Sequence, residues 1–95
     1  MSAYVVFTRE KTLDPTELEI YWTEIKGTFE GHQVKVLVSY GRHEVVEGAP
    51  TEGIVIAEFP SFEAAKAWYD SPRYREVRQH RFKGAIYRGI VAEGV

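Results

Sequence analysis

The sequence predicts an α+β fold whose elements follow the order β-α-β-β-α-β. Four short runs are rich in β-branched and aromatic residues, which is the composition of strands. Between the first and second runs, and again between the third and fourth, apolar residues recur at helical spacing. Two right-handed crossovers of this kind place the helices on one face of a four-stranded antiparallel sheet.

The clearest element pair lies in the stretch Gly53–Pro72, GIVIAEFPSFEAAKAWYDSP. Ile54–Phe59 is β-branched and apolar, which predicts a mostly buried strand. Ser61 is a good N-cap for a helix over Phe62–Tyr69, where apolar residues return at helical spacing. Pro72 ends that helix, because the residue before a proline is pushed out of the α region.

The first crossover is predicted between strands at Ala3–Thr8 and Val34–Tyr40. Arg9–Leu13 is expected to form a polar loop, and Asp14 is expected to cap a helix with Pro15 at its first position. One face of that helix carries an apolar stripe at a period near 3.6. The stripe consists of Leu18, Tyr21, Trp22, Ile25 and Phe29.

The remaining segments complete the pattern. In the second strand, Val34, Val36, Val38 and Tyr40 are expected on one side, and Gly41–Glu52 is rich in turn formers. A short polar helix is predicted from Arg73 to about Phe82, with Tyr74, Val77 and Arg81 on one side. Gly84 ends it, and Ala85–Ala92 is the last strand.

The third strand indicates that the second face of the sheet is also apolar and needs a partner. Val55, Ala57 and Phe59 share one parity and suit the helices, whereas Ile54, Ile56 and Glu58 point the other way. A soluble monomer rarely leaves several hundred Å² of apolar sheet uncovered. We therefore expect a ferredoxin-like plait whose sheets pair face to face in a homodimer, as a dimeric α/β barrel.

Composition excludes several classes of protein and site. With 95 residues and no cysteine, the chain is expected to be one domain, residues 1–95, without disulfides or thiolate metal sites. The net charge of −2 is spread along the chain, which disfavours nucleic-acid binding and a membrane-surface patch. No signal peptide or bilayer-spanning run is present, so a cytoplasmic location is expected.

The run Glu58–Ala65 (EFPSFEAA), followed by Ala67-Trp68-Tyr69, Ser71-Pro72 and Tyr74, resembles the DUF1330 family. The resemblance extends over essentially the whole chain. It implies a small bacterial protein of the dimeric α/β-barrel superfamily and implies no activity. The chain departs from the family pattern at Tyr40, where a glycine is usual. This residue is expected to narrow any cleft at that end of the strand.

Glu58 and His43 are the candidate catalytic residues. A carboxylate at Glu58, on the apolar sheet face, must be paired, hydrated or shifted in pKa, and such a group can act as a general acid or base. The alternative is a strand-end glutamate that reaches solvent or forms a salt bridge across the dimer. His43 is a candidate base because histidine titrates near neutral pH, or else a solvated loop residue.

Arg42, Tyr69, Tyr74 and Arg81 are the candidate ligand-binding residues. Two guanidinium groups suit a carboxylate or phosphate, and the favoured alternative is that each forms one intersubunit or loop-anchoring salt bridge. The tyrosines carry hydroxyls that need partners if buried. The spacing of His32, His43 and His80 does not suit a metal, so neither a metal nor a cofactor is expected.

Two functions remain open at this point. The chain is either a dimer that binds a small molecule between sheet and helices, with cofactor-free catalysis on small acids or aromatics included, or a non-catalytic regulatory or stress-associated dimer. The first reading follows in part from the known chemistry of dimeric α/β barrels, and fold similarity alone is a weak reason for a function.

Overall fold

The computed structural model describes residues 1–95 and contains four strands and three α-helices. The strands form one antiparallel sheet in the order β2-β3-β1-β4, with all helices on one face, as predicted. None of the helices is both long enough and apolar enough to span a bilayer. The elements are β1 (Ala3–Thr12), α1 (Pro15–Glu24), β2 (Lys35–Ser39), β3 (Gly53–Phe59), α2 (Phe62–Tyr69), α3 (Pro72–Gly84) and β4 (Ala85–Glu93), with a 3-10 helix at Ile25–Phe29 after α1.

The first strand is longer than predicted. Arg9 pairs with Tyr87, and after a shift in register Lys11 pairs with Ile86 and Thr12 with Ala85. The prediction of a polar loop here was wrong, because backbone pairing with β4 does not require apolar side chains. Arg9 lies before the shift and shares the parity of Val5 and Phe7, so its side chain faces the helices, with its Cζ 5.5 Å from the centroid of the Trp22 ring.

The second strand contains a bulge that the alternation of residue types did not indicate. Val36 lies opposite Ala57, whereas Val38 lies opposite Ile56, so the two valines point to opposite faces of the sheet. The prediction that they share a side was wrong for this reason. Tyr40 lies just beyond the strand and has a positive φ of 55°.

The predicted helix starts are confirmed by side-chain caps. Asp14 Oδ1 accepts a hydrogen bond from the backbone N–H of Thr16 at 3.0 Å, and Ser61 Oγ accepts one from Ala64 at 3.0 Å. Ser71 Oγ accepts the N–H of Tyr74 at 3.3 Å and thereby starts α3 directly after α2. Each cap satisfies an amide that the helix itself leaves free.

The core lies between the sheet and the helices and is centred on Trp68 of α2, whose exposed fraction is 1%. The Trp68 ring lies 4.0 Å from that of Tyr74 and 5.5 Å from that of Phe59, measured between centroids. Its indole N–H donates to Thr28 Oγ1 at 3.0 Å, and the Thr28 hydroxyl donates to the carbonyl of Ile25 at 2.6 Å. The 3-10 helix is thus tied to α2 by one buried hydroxyl.

The opposite face of the sheet, called the open face below, has no covering element. Its central apolar residues are half-buried or, in the case of Ile90, exposed, and the register places them side by side. They are Tyr4 and Val6 of β1, Ile54 and Ile56 of β3, Val38 of β2 and Ile90 of β4. The chain measures 31 × 31 × 17 Å, a thickness that accommodates one sheet and one helical layer.

Replacing Thr28 by valine is expected to lower the free energy of unfolding by about 1–3 kcal/mol, because the buried indole N–H of Trp68 loses its acceptor. Urea unfolding measures the change. Thr23→Val is the matched control, since its hydroxyl bonds an α1 carbonyl on an exposed surface. An equal effect of the two substitutions would show that the Trp68–Thr28 bond contributes nothing.

Candidate functional site

Arg81 of α3 is a buried cation without a counter-ion. Its exposed fraction is 4%, and its Nε has no hydrogen-bond partner. The ion pairs of the chain involve Arg9, Lys66, Arg73 and His80, and none of them includes Arg81. The salt bridge that the sequence suggested as an alternative role for Arg81 is therefore not formed within the chain.

Aromatic groups surround the Arg81 guanidinium. Its Cζ lies 4.6 Å from the ring centroid of Phe7, 5.0 Å from that of Phe82 and 5.1 Å from that of Tyr87. Burial alone lowers the pKa of a guanidinium. The phenols of Tyr74 and Tyr21 outweigh that effect, so that the pKa of Arg81 lies above its ordinary value. The site therefore carries a full positive charge.

A cavity of about 300 Å³, called the inner cavity below, lies between the sheet and α1 and includes Arg81 in its wall. Most of the lining is apolar, and much of it is aromatic. The buried part of the lining, its floor, includes Phe7, Tyr21, Trp68 and Arg81. The part that reaches solvent, its mouth, includes Trp22, Lys26, Val36, Ser39 and Tyr40.

A second cavity of about 500 Å³, called the edge cavity below, lies beside β4 under α2 and α3. It shares Phe7, Arg81 and Tyr87 with the inner cavity, and Tyr69 and Lys66 also line it. Lys66 pairs with Asp70 at 3.5 Å, so Arg81 is the cation in its wall that lacks an acidic partner. Arg81 therefore forms part of the wall of both cavities.

Two tyrosine hydroxyls form a buried pair next to Arg81. Tyr21 Oη and Tyr74 Oη are 2.7 Å apart, and both side chains are almost fully buried. Burial raises the pKa of Tyr21 well above its usual value, and the adjacent Tyr74 adds to the shift. Burial also raises the pKa of Tyr74, although the charge of Arg81 partly opposes this. Both groups are therefore neutral hydrogen-bonding groups at physiological pH.

Of the predicted ligand-binding residues, the structure brings Tyr69, Tyr74 and Arg81 together. The rings of Tyr69 and Tyr74 are 5.6 Å apart, and Tyr69 and Arg81 both line the edge cavity. Arg42 is not among them, because it lies exposed in the connection between β2 and β3 and lines neither cavity. Arg42 and Arg81 therefore do not form a joint clamp within one chain.

Glu58 lies on the open face, on the far side of the sheet from Arg81. Its Oε2 accepts a hydrogen bond from the hydroxyl of Tyr4 at 3.1 Å, and the contact raises the pKa of Tyr4. The two residues face each other on adjacent strands. Any role for Glu58 therefore concerns the open face and not the inner cavity.

His43 holds the long connection between β2 and β3 in shape. Its Nε2 lies 3.0 Å from the carbonyl oxygen of Thr51, and its Nδ1 lies 3.3 Å from that of Gly41. A carbonyl oxygen only accepts hydrogen bonds, so at least one of these contacts is an N–H donation. The ring bridges two ends of the loop and lines neither cavity.

Sequence reasoning missed Phe7 and Tyr87 as site residues, whereas Tyr40, which was expected to narrow a cleft at the end of its strand, lines the inner cavity. Phe7 and Tyr87 read as ordinary strand residues, and only the β1–β4 register brings their rings together, 6.3 Å apart and edge to face. Trp22, which belongs to the apolar stripe predicted for the first helix, lines the inner cavity. No three histidine or acidic side chains lie close enough together to hold a metal ion.

A family model described as "Domain of unknown function (DUF1330)" matches residues 2–95. The chain belongs to the DUF1330 family. The comparison with curated proteins gave no match. The resemblance seen in the sequence is thus confirmed, and with it the fold.

Solved structures agree on the fold of this DUF1330 chain. A protein of unknown function from Rhodopseudomonas palustris, RPA0582, has a TM-score of 0.72 at 22% identity, covering 99% of this chain and 82% of that one. A dimeric ferredoxin-like protein of unknown function from Jannaschia sp. CCS1 has a TM-score of 0.71 at 10% identity, covering 99% and 100%. SnoaB, a cofactor-independent oxygenase from Streptomyces nogalater, has a TM-score of 0.62 at 9% identity, covering 99% and 93%. At these identities the likeness shows the fold alone.

The buried tyrosine pair predicts a loss of stability at alkaline pH. Above about pH 10 the unfolded chain loses the phenol protons of Tyr21 and Tyr74 first, whereas the folded chain keeps them. The stabilisation is fully present below about pH 10 and declines as the pH rises, by up to about 1.4 kcal/mol per pH unit for each group. Urea unfolding between pH 8 and 11 measures this slope.

Tyr21→Phe removes one of the two protons, so its slope above pH 10 should be shallower than that of the unchanged protein. Below pH 9 the curves of both proteins should run parallel, which serves as the internal control. Identical slopes above pH 10 would contradict the assignment of the shift to the buried pair.

Proposed function

We propose that the chain binds a small aromatic carboxylate in the inner cavity, with the carboxylate on Arg81 and the ring among the aromatic walls. The observation that carries the proposal is the buried Arg81 guanidinium without a counter-ion. A buried ion costs several kcal/mol unless it is paired. The three surrounding rings offset part of that cost, at about 0.5–2 kcal/mol each. A carboxylate would supply the missing charge and match the planar fork of the guanidinium.

The shape of the cavity supports a ligand with a single ring. Ligand sites usually have volumes of about 300–1,000 Å³, and the inner cavity is at the lower end of that range at about 300 Å³. At about 30 Å³ per water-sized group, this is room for on the order of ten non-hydrogen atoms. Benzoate is a ligand of this size and chemistry.

The lining favours binding over acid–base chemistry by a carboxylate or histidine. Neither the inner nor the edge cavity has an Asp, Glu or His in its wall. The polar groups that reach the inner cavity are the cations Arg81 and Lys26, phenols and Ser39. These groups can orient and hold an anion. The catalytic alternative would require a proton acceptor that the ligand itself provides.

The open face supports a homodimer in which two sheets pack together. Its apolar residues are adjacent and uncovered within one chain, and the similar structure from Jannaschia sp. CCS1 is dimeric. A second copy of the chain offers the same apolar surface, as a two-fold symmetric interface requires.

The inner cavity lies on the other side of the sheet and would remain accessible in such a dimer.

Arg81→Met is expected to abolish binding of benzoate without destabilising the free protein, because methionine removes an unpaired buried charge and keeps the apolar stem of the side chain. In the unchanged protein, benzoate at 100 times its Kd should add about 2.7 kcal/mol of stability. At about 4–8 °C per kcal/mol for a domain of this size, Tm should rise by about 10 °C or more. Thermal unfolding with and without benzoate measures the shift.

Two controls accompany this experiment. Benzamide has the same shape without the charge and should give no shift in the unchanged protein. Arg75→Met removes an exposed arginine from the same helix and should leave the benzoate shift intact. If Arg81→Met lowers the Tm of the free protein strongly and benzoate never raises it, Arg81 is a structural residue and the non-catalytic, ligand-free alternative is favoured.

Ile56→Lys is expected to convert the dimer into a monomer, because it places a charge at the centre of the open face. Sedimentation equilibrium at micromolar concentration reports the mass of the particle. Ile20→Lys makes the same chemical change on α1, away from the sheet, and should leave the dimer intact. A monomeric unchanged protein, or a dimer that survives Ile56→Lys, would contradict this interface.

A further inference from the structure

Tyr40 has a backbone conformation that a tyrosine rarely adopts. Its φ of 55° lies in the left-handed region, and every other residue with positive φ in the chain is a glycine. Bulky residues are strained there, and such strain persists only where the surroundings enforce it. At Tyr40 the surroundings that enforce the strained conformation are the contacts of its side chain.

Contacts from several elements hold the Tyr40 ring in place. It lies directly against the backbone of Gly53 in β3, where an added Cβ would come within 2.5 Å of its Cδ1. Its hydroxyl forms a hydrogen bond with that of Tyr87 in β4 and accepts one from Trp22 Nε1 at 3.3 Å. The Arg9 guanidinium lies 5.1 Å from its ring centroid. These side-chain contacts, together with the hydrogen bond from the Tyr40 backbone N–H to the Ile54 carbonyl at 2.9 Å, hold the residue in this conformation.

The three rings of Tyr40, Trp22 and Tyr87, called the aromatic gate below, all line the inner cavity. Trp22 meets Tyr40 edge to face, with centroids 5.6 Å apart. Trp22 is 38% exposed, whereas Arg81 and Trp68 at the floor are 4% and 1% exposed. The gate therefore lies at the mouth, between solvent and the buried guanidinium, and joins α1 to the end of β2 across the opening.

We propose that Tyr40 is the specificity-determining residue of the site, which limits the inner cavity to ligands with a single ring. This inference rests on the proposed function for its ligand class. The ring of Tyr40 occupies the mouth, and its hydroxyl ties it to both Tyr87 and Trp22, so a larger acid meets it before the carboxylate reaches Arg81. A glycine fits the left-handed backbone without strain, and it would remove the ring without forcing the chain to refold.

The first arm of the test needs no ligand. In a Trp22→Phe background Trp68 is the sole tryptophan, and it lies at the floor of the cavity. Tyr40→Gly should raise the acrylamide quenching constant of Trp68 at least threefold. Arg42→Gly introduces a glycine two residues later, at an exposed position that lines neither cavity, and should leave the constant unchanged. If the quenching constant is unchanged in Tyr40→Gly, Tyr40 does not close the mouth of the cavity, regardless of the results of ligand binding.

The second arm measures selectivity by calorimetry with benzoate and 2-naphthoate, with Trp22 in place. The unchanged protein should bind benzoate and reject 2-naphthoate, and Tyr40→Gly should raise the naphthoate-to-benzoate affinity ratio at least tenfold. Tyr40→Phe keeps the ring but loses both hydroxyl hydrogen bonds, so it should raise the ratio less than Tyr40→Gly does. If benzoate binds but the naphthoate-to-benzoate affinity ratio does not change in Tyr40→Gly, Tyr40 does not determine specificity and the proposed function stands. If quenching responds to Tyr40→Gly but no carboxylate binds, the proposed function is wrong and the closure of the mouth by Tyr40 stands.

Discussion

The positive charge of Arg81 is the constraint around which the helix side of this protein is arranged. A guanidinium buried without an acid is unfavourable, and the chain surrounds it with the rings of Phe7, Phe82 and Tyr87 and the neutral phenols of Tyr21 and Tyr74. These groups reduce the cost of the charge without neutralising it. An anion therefore remains the complementary partner, and the cavities beside Arg81 give it a place to bind.

The sheet separates the candidate ligand site from the candidate subunit interface. Its helix side carries the core, the cavities and Arg81, while the open face carries half-buried apolar residues with the Tyr4–Glu58 hydrogen bond at one end. A ligand site and a subunit interface can therefore occupy the same small chain without competing for surface. Glu58, which packing alone does not explain, is best understood through the open face.

The sequence was sufficient to predict the elements, the sheet and the side of α3 that faces inward, because those depend on local periodicity and caps such as Asp14 and Ser61. It was not sufficient for the bulges in β1 and β2, which depend on pairing between strands. The candidate site was only partly predictable for the same reason. Periodicity placed Arg81 on the buried side of α3, but only the β1–β4 register surrounds it with rings and leaves it without an acid. No pattern indicated that Arg42 and His43 would line neither cavity.

The most direct test of this account is the NMR signal of the Arg81 Nε–H group during titration with benzoate. That nitrogen is buried and has no hydrogen-bond partner in the free chain. We expect its resonance to shift and saturate with benzoate, to stay unchanged with benzamide, and to follow the same binding curve as the ring signals of Tyr87. A resonance that does not move at millimolar benzoate, in a folded protein, would contradict the role of Arg81 as an anion-binding residue.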